Sequence, residues 1–409
     1  MSLPNLRHKY DYHEKAGELN QQTLMQRTIF GIDHFLLQQN KFKHLRIALV
    51  TNDAALTSQN KQGRLALLKS SFNITKLFSP EHGIATKGID GAYQGNAIDT
   101  ITALPIISLY GDHLIPKEDD LADVELVLFD IPDVGCRFYT YLWTMTYIME
   151  ACALYDKPLV ILDRPNPIGG DIKKTEGPML DETCSSFIGR WNIPIRHCCT
   201  LGELALYFSA SQNIKIDLTV IPITGWNRNK TSEENNFIFT PTSPAISTIE
   251  TALCYPGTGL LEGFNVNEGR GTNNAFRIFG APWMNSTALL EAVKDLQLTG
   301  VQFSEINYIP DTSLYSGETC YGLSFSVTDE NLFRPVQTGI SIIRKLLQLF
   351  PEHCSERLYK TVANPTGEKH LDKLTGVKNS YAKLKSENII STGYEEEWKQ
   401  KISPFLIYK

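Results

Sequence analysis

The sequence predicts an α/β fold. A Rossmann-like parallel sheet with helices on both faces is expected over residues 1–235, followed by a smaller α+β domain over 236–409. Three observations carry this expectation. First, the stretch Val124-Glu-Leu-Val-Leu-Phe-Asp130-Ile-Pro132-Asp133-Val-Gly135-Cys-Arg137 runs from an unbroken apolar segment of strand length into an abruptly polar turn. A central parallel strand, buried on both faces, meets its loop in this way. Arg46-Ile-Ala-Leu-Val-Thr51-Asn52-Asp53 and Pro158-Leu-Val-Ile-Leu-Asp163-Arg164-Pro165-Asn166 repeat the pattern in the same direction. Second, strand and helix patterns alternate from about residue 45 to 225, which is the mark of a parallel sheet with crossover helices. Third, residues 225–244 turn to Asn, Lys, Thr, Glu and Pro, and the domain boundary is placed there. A chain of 409 residues also exceeds what one hydrophobic core usually supports.

Taken in order, residues 22–36 carry a helical pattern with apolar residues recurring at three and four. After the first strand, 61–70 reads as a crossover helix and 74–78 as the next strand, closed by the rigid turn Ser79-Pro-Glu-His-Gly83. The glycine-rich stretch 84–99 reads as a loop over a crevice, and 106–111 as another short strand and turn. Residues 143–155 form a helix, 158–163 a strand, and 169–178 a polar stretch presenting Glu176-Gly177-Pro178. Thr200-Leu-Gly-Glu203 opens a helix, with Thr200 as N-cap and Glu203 completing a capping box, and 218–223 is a strand. The second domain opens with Tyr255-Pro-Gly-Thr-Gly259-Leu-Leu-Glu262-Gly263-Phe-Asn265-Val-Asn-Glu268-Gly269-Arg270-Gly271-Thr272, whose five glycines would let backbone lie close to a ligand. A helix at 288–296, extended runs at 301–309 and 321–327, a helix from about 336 to 350 and a last strand at Phe405-Leu-Ile-Tyr408 complete the chain.

Composition removes several classes. A net charge of −6 argues against binding a phosphate backbone, which needs clustered Lys and Arg, so no nucleic-acid partner is expected. No apolar run reaches the roughly 18 residues of a membrane span, and the first residues lack the pattern of a secretory leader. The chain as it stands is therefore expected in the cytoplasm, or in the periplasm or outside the cell if a leader has been removed. The eight cysteines show no CxxC pair, so reduced, buried thiols are expected.

Polar residues beyond the carboxyl ends of parallel strands are where an α/β sheet places its ligand crevice. If the three apolar runs lie side by side, one rim carries Asn52, Asp133, Arg137, Asp163, Arg164 and Asn166. Glu81-His82 is the sharpest local signal, because a carboxylate beside an imidazole on a rigid turn suits acid/base work. Its bland counterpart is a capped turn with His82 bonded to backbone. Arg137 is the foremost candidate to bind an anionic group, its planar fork matching a carboxylate. Asp133 and Arg137 could equally pair with each other. Tyr139 and Tyr141 could stack on a sugar or pack in a core. Asp163 and Arg164 could satisfy each other in a rigid connection, and the loop carrying Glu262, Asn265, Glu268, Arg270 and Thr272 could be a structural turn cluster. No dinucleotide fingerprint follows a strand, and neither a Walker loop nor a GxSxG elbow is present. His197-Cys198-Cys199 resembles metal ligands only superficially, since neighbouring residues do not readily share one ion. No metal and no cofactor are expected.

The ordered blocks Ser79-Pro-Glu-His-Gly83, Ser108-Leu-Tyr-Gly111, Phe129-Asp-Ile-Pro-Asp-Val-Gly-Cys-Arg-Phe-Tyr-Thr-Tyr141, Leu162-Asp-Arg-Pro-Asn-Pro167, Glu176-Gly-Pro178, Thr200-Leu-Gly-Glu-Leu-Ala205, Tyr255-Pro-Gly-Thr-Gly259, Glu268-Gly-Arg-Gly-Thr272 and Phe279-Gly-Ala-Pro-Trp283 carry a family likeness. Together they make the chain resemble the bacterial exo-β-N-acetylmuramidases, glycoside hydrolases of peptidoglycan turnover and recycling. The resemblance implies hydrolysis of a non-reducing terminal N-acetylmuramic acid from a small carbohydrate or muropeptide substrate. Such chemistry uses two carboxyl groups, or one with the substrate's own acetamido group. Glu81, beside His82, is the expected general acid. The second group stays open among Glu176, Glu262 and Glu268, with Asp133 and Asp163 as outsiders. Arg137, Arg164 and Arg270 are candidates to hold the substrate's lactyl carboxylate. A binding protein that kept the cleft without the chemistry is the alternative; a nucleotide-dependent α/β enzyme ranks last.

Overall fold

The computed structural model describes residues 28–408, apart from 89–90, 93–94, 363 and 387–389. Of the helical pattern at 22–36, residues 22–27 lie outside the described residues, 28–30 are not helical, with Ile29 bridged to Thr224, and 31–36 enter helix α1 (Gly31–Gln38). The first half is built on β1 (Ile47–Thr51), β2 (Ile74–Ser79), β3 (Ala97–Ile98), β4 (Pro105–Ser108), β5 (Leu126–Asp130), β6 (Leu159–Leu162) and β7 (Leu218–Ile221). These form one sheet in the order β3-β4-β2-β1-β5-β6-β7. All neighbours are parallel except the β3–β4 pair. The chain winds from β1 to one edge, returns, and winds to the other, so β1, β5 and β6 lie side by side as their shared pattern predicts.

Alternation along each strand sends side chains to opposite faces, and two apolar layers result. Ile47 and Leu49 join Leu126, Leu128, Val160 and Leu162 under α1 and α2 (Gly63–Lys69). Ala48 and Val50 join Val127, Phe129 and Ile161 on the other face. That face carries α4 (Tyr141–Leu154), which follows the short α3 (Glu118–Leu121), and α5 (Leu201–Ser211). The capping box read at α5 is present. The Thr200 hydroxyl accepts from the Glu203 amide at 3.2 Å, and the Glu203 carboxylate accepts from the Thr200 amide at 3.1 Å.

The second half pairs β8 (Ile278–Ala281), β10 (Cys320–Val327) and β9 (Val301–Tyr308) in an antiparallel sheet. This half also holds helices α6 (Ile249–Thr258), α7 (Ser286–Lys294), α8 (Pro335–Leu349), α9 (His370–Thr375), α10 (Ser380–Lys385) and α11 (Glu395–Ile402), the last packed on the first half through Trp398. Its apolar residues merge with the second layer of the first half into one core. Two expectations change here. The glycine-laden stretch from 255 begins as the last turn of α6 and a 3₁₀ turn, Gly259–Gly263, so its first glycines serve packing. A Cβ on Gly257 would stand 1.9 Å from the Pro335 carbonyl, and one on Gly259 would stand 2.7 Å from Phe138. Residues 405–408 are no strand. A 3₁₀ turn, Ser403–Phe405, carries the chain back to the first half, where the Tyr408 hydroxyl donates to Asp163 Oδ2 at 2.5 Å.

Candidate active site

Where β2 stops at Ser79, the Gly83 amide donates to the Pro80 carbonyl at 3.1 Å and closes a turn. His82 and Gly83 both take positive φ, 67° and 68°. A non-glycine residue at positive φ is strained; the turn holds His82 there while its ring Nδ1 lies 2.9 Å from the Gly88 carbonyl. Glu81 is buried, and both its oxygens are engaged. Oε1 accepts from the Gly91 amide at 2.9 Å, and Oε2 accepts from the Thr140 hydroxyl at 2.8 Å. Tyr110, just past β4, is the third neighbour: burial, and then the charge of Glu81, push its hydroxyl well above the usual tyrosine range.

Glu81 lines a cavity bounded by loops of the first half and by residues of the second. Much of its lining comes from the second half. Arg270 Nη1 lies 2.7 Å from Glu262 Oε1 and 2.7 Å from Glu268 Oε1, and the guanidinium lies over the Phe276 ring at 4.7 Å. The second oxygen of Glu262 is 3.3 Å from His370 Nε2. Burial works against the charge on Glu262, but Arg270 and His370 outweigh it and hold this carboxyl well below the usual range. His370 stacks on Tyr359, ring centroids 4.4 Å apart. On the same helix face Lys373 donates to Asn364 Oδ1 at 2.7 Å and to the Glu368 carbonyl at 3.1 Å, and burial pulls its ammonium below the usual value.

Of the residues singled out in the sequence, Glu81, His82, Tyr139, Glu262 and Arg270 line this cavity. The others lie outside its lining. Glu268 reaches it only through Arg270. Arg137 is fully buried and donates to the carbonyls of Pro178, Ile193 and Leu374 at 2.6, 2.8 and 2.9 Å, so its fork is spent on backbone. Arg164 is tied to Asp130 and to the Leu56 carbonyl, at 2.7 Å each. Asp163 accepts from the Arg164 and Gly202 amides and from the hydroxyls of Thr200 and Tyr408; burial pushes it up to about 6. Asp133 takes the Gly135 amide at 2.8 Å with His197 Nε2 at 3.5 Å, and Asn166 links the Cys199 carbonyl to the Ile168 amide. Asn52 accepts from the Ala54 amide, Tyr141 donates to the Thr242 carbonyl, Asn265 bridges residues 353 and 355, and Thr272 closes its own turn on Gly269. Glu176 accepts from the Gln337 amide at 2.9 Å, at the start of α8, and burial pushes its carboxyl up to about 7. The rim over β1, β5 and β6 thus knits the sheet to its loops, and the cavity lies over β2, β4 and the loop after β5.

Tyr110, Thr140, His370 and Lys373 line the cavity without having been singled out. Tyr110 follows an apolar run as Glu81 does, so the strand-end rule would have found it. His370 and Lys373 sit in a charged stretch, Glu368-Lys-His-Leu-Asp-Lys373, that reads as solvated surface. Among the described residues no group of three His, Cys, Asp or Glu side chains is arranged to hold a metal ion.

The cavity therefore holds one carboxyl group with neutral donors on both oxygens and another held ionised by two basic partners. Pairs of carboxyl groups in unlike surroundings divide proton transfer from charge stabilisation.

A family model described as "Exo-beta-N-acetylmuramidase NamZ, N-terminal" matches residues 47–250, and its C-terminal counterpart matches 253–408. The peptidoglycan beta-N-acetylmuramidase NamZ of Bacillus subtilis (strain 168) is 40% identical over 324 residues, 79% of this chain and 78% of that protein. Crystal structures of two DUF1343 family proteins from Bacteroides fragilis NCTC 9343 are similar, each at 27% identity, with TM-scores of 0.82 and 0.70. They cover 94% and 93% of this chain and 100% and 99% of their own.

Proposed function

The chain belongs to the exo-beta-N-acetylmuramidase NamZ family, and from that premise we propose that it is a glycoside hydrolase releasing non-reducing terminal N-acetylmuramic acid from peptidoglycan fragments. The observation that carries this reading is the single cavity shared by Glu81 and the Glu262–Arg270 pair, which come from opposite halves of the chain. In the proposed reaction Glu81 gives its proton to the leaving oxygen as the bond from the anomeric carbon breaks. Glu262 stays ionised beside Arg270 and His370 and supplies the negative charge that the oxocarbenium-like centre needs. A water oxygen then bonds to the anomeric carbon, and its proton returns to Glu81. Tyr359, half-buried in the cavity lining, presents ring surface to the sugar.

The eight cysteines are buried and unbridged, which supports a reducing compartment, the cytoplasm, for this activity. Among the described residues no helix is long and apolar enough to cross a membrane.

Incubation with a chromogenic N-acetylmuramic acid glycoside, beside its N-acetylglucosamine counterpart, tests the reading. Release from the muramic acid compound in preference is the expected result. Release from neither would overturn the assignment, and calorimetric binding without release would identify a sugar-binding protein instead.

A further inference from the structure

We propose that Lys373 selects the substrate: its ammonium pairs with the lactyl carboxylate that distinguishes N-acetylmuramic acid from N-acetylglucosamine. The inference rests on the muramidase reading of the cavity and assigns the anion subsite within it. Among the described residues, the Arg and Lys side chains lining the cavity are Arg270 and Lys373. Arg270 is already shared between two carboxylates, Glu262 and Glu268, each at 2.7 Å, so its charge is answered within the protein. Arg137 and Arg164 spend their forks on carbonyls and on Asp130 away from the cavity.

Lys373 differs from these. Its ammonium has three protons, and its partners are neutral oxygens, Asn364 Oδ1 and the Glu368 carbonyl. It makes no ion pair among the described residues. A half-buried cation with neutral partners leaves a positive potential that an anionic ligand answers.

Its place in the fold suits the lactyl group. Lys373 stands three residues after His370 on α9, hence on the same helix face, and His370 holds the Glu262 carboxylate. The subsite therefore adjoins Glu262, as the ether at ring carbon 3 lies close to the anomeric carbon. Leu374, also lining the cavity, gives the lactyl methyl an apolar neighbour.

The test compares wild type, Lys373→Met and Lys373→Arg on a chromogenic N-acetylmuramic acid glycoside and on its lactyl methyl ester, which is neutral. Lys373→Met should raise KM for the acid by about tenfold to a hundredfold, the range for losing one charge-assisted bond, with kcat little changed. Lys373→Arg should recover most of the loss, and wild type should show a similar rise in KM on the ester. An unchanged KM in Lys373→Met overturns the proposal, as does a wild type indifferent to esterification, and the ester comparison decides the matter if Lys373→Met does not fold. Should wild type hydrolyse neither compound, the muramidase reading falls and calorimetry with free N-acetylmuramic acid, its methyl ester and N-acetylglucosamine decides the subsite. Tighter binding of the acid than of both neutral sugars supports the subsite, and equal binding of all three overturns it.

Discussion

Glu81 and Glu176 are both buried carboxyl groups, yet what surrounds each gives it a different office. Glu81 sits on a strand-end turn with neutral donors on both oxygens and a cavity in front of it. Glu176 faces a helix start inside the protein. Replacing Glu81 by Gln keeps an acceptor and the side chain's shape but removes the transferable proton. Turnover of the muramic acid glycoside should fall by about a hundredfold to ten-thousandfold, the usual worth of a positioned acid or base, with the melting temperature nearly unchanged. Turnover near wild type would remove Glu81 from its role. At this scale the sequence marked Glu81 well, because proline and glycine make its turn rigid from local chemistry alone. It put Arg137 first as the anion binder, and the structure overturns that ranking, since Arg270 lines the cavity and Arg137 does not. Both look like anion binders, but the carbonyls that absorb Arg137 belong to residues 178, 193 and 374, and nothing near position 137 announces them.

Among the elements, α6 and α8 cross with backbone against backbone. A Cβ on Gly339 would lie 2.3 Å from the Gly257 carbonyl, and one on Gly257 would lie 1.9 Å from the Pro335 carbonyl. Helix propensity alone would reward Gly339→Ala by about 1 kcal/mol. The contact is with backbone, which cannot swing aside, so overpacking costing about 1–3 kcal/mol or more should reverse the sign. The variant should unfold at lower urea concentration than wild type, and a rise in the midpoint would show that the helices separate freely. The parallel strands and the helices at 141–154 and 201–211 were legible, since apolar runs and caps are local signals. Helix α6 was not, because Pro256, Gly257 and Gly259 read as a loop until the partner helix supplies the reason for small residues.

The two halves of the molecule are joined by a shared core and by buried polar ties that cross between them. Glu176 meets the Gln337 amide, Arg137 the Leu374 carbonyl, Trp398 Nε1 the His197 carbonyl, and Tyr408 the Asp163 carboxyl. One of these ties carries a pH dependence. Burial, only partly offset by Arg196, raises the Glu176 carboxyl from 4.5 to about 7, so the folded protein keeps a proton that the unfolded chain has released. Its contribution is fully present below pH 4.5 and is lost as pH rises through about 7. Between about pH 5 and pH 8, wild type should lose up to about 3 kcal/mol that Glu176→Gln does not lose. Denaturant unfolding of both proteins at the two pH values checks this; parallel losses would mean Glu176 titrates alike in both states. Glu262 acts in the opposite sense, its lowered pKa adding stability that disappears only in acid.

By itself the sequence determined the doubly wound sheet, the α5 cap, the Pro-Glu-His-Gly turn and the family likeness, because each depends on residues adjacent or periodic along the chain. The tertiary structure alone decided which polar residues face the cavity. It turned the rim over β1, β5 and β6 into a framework and brought Glu262, His370 and Lys373 into one cavity with Glu81. A buried polar group takes whatever partner the fold brings within about 3 Å, and those partners lie far away in sequence.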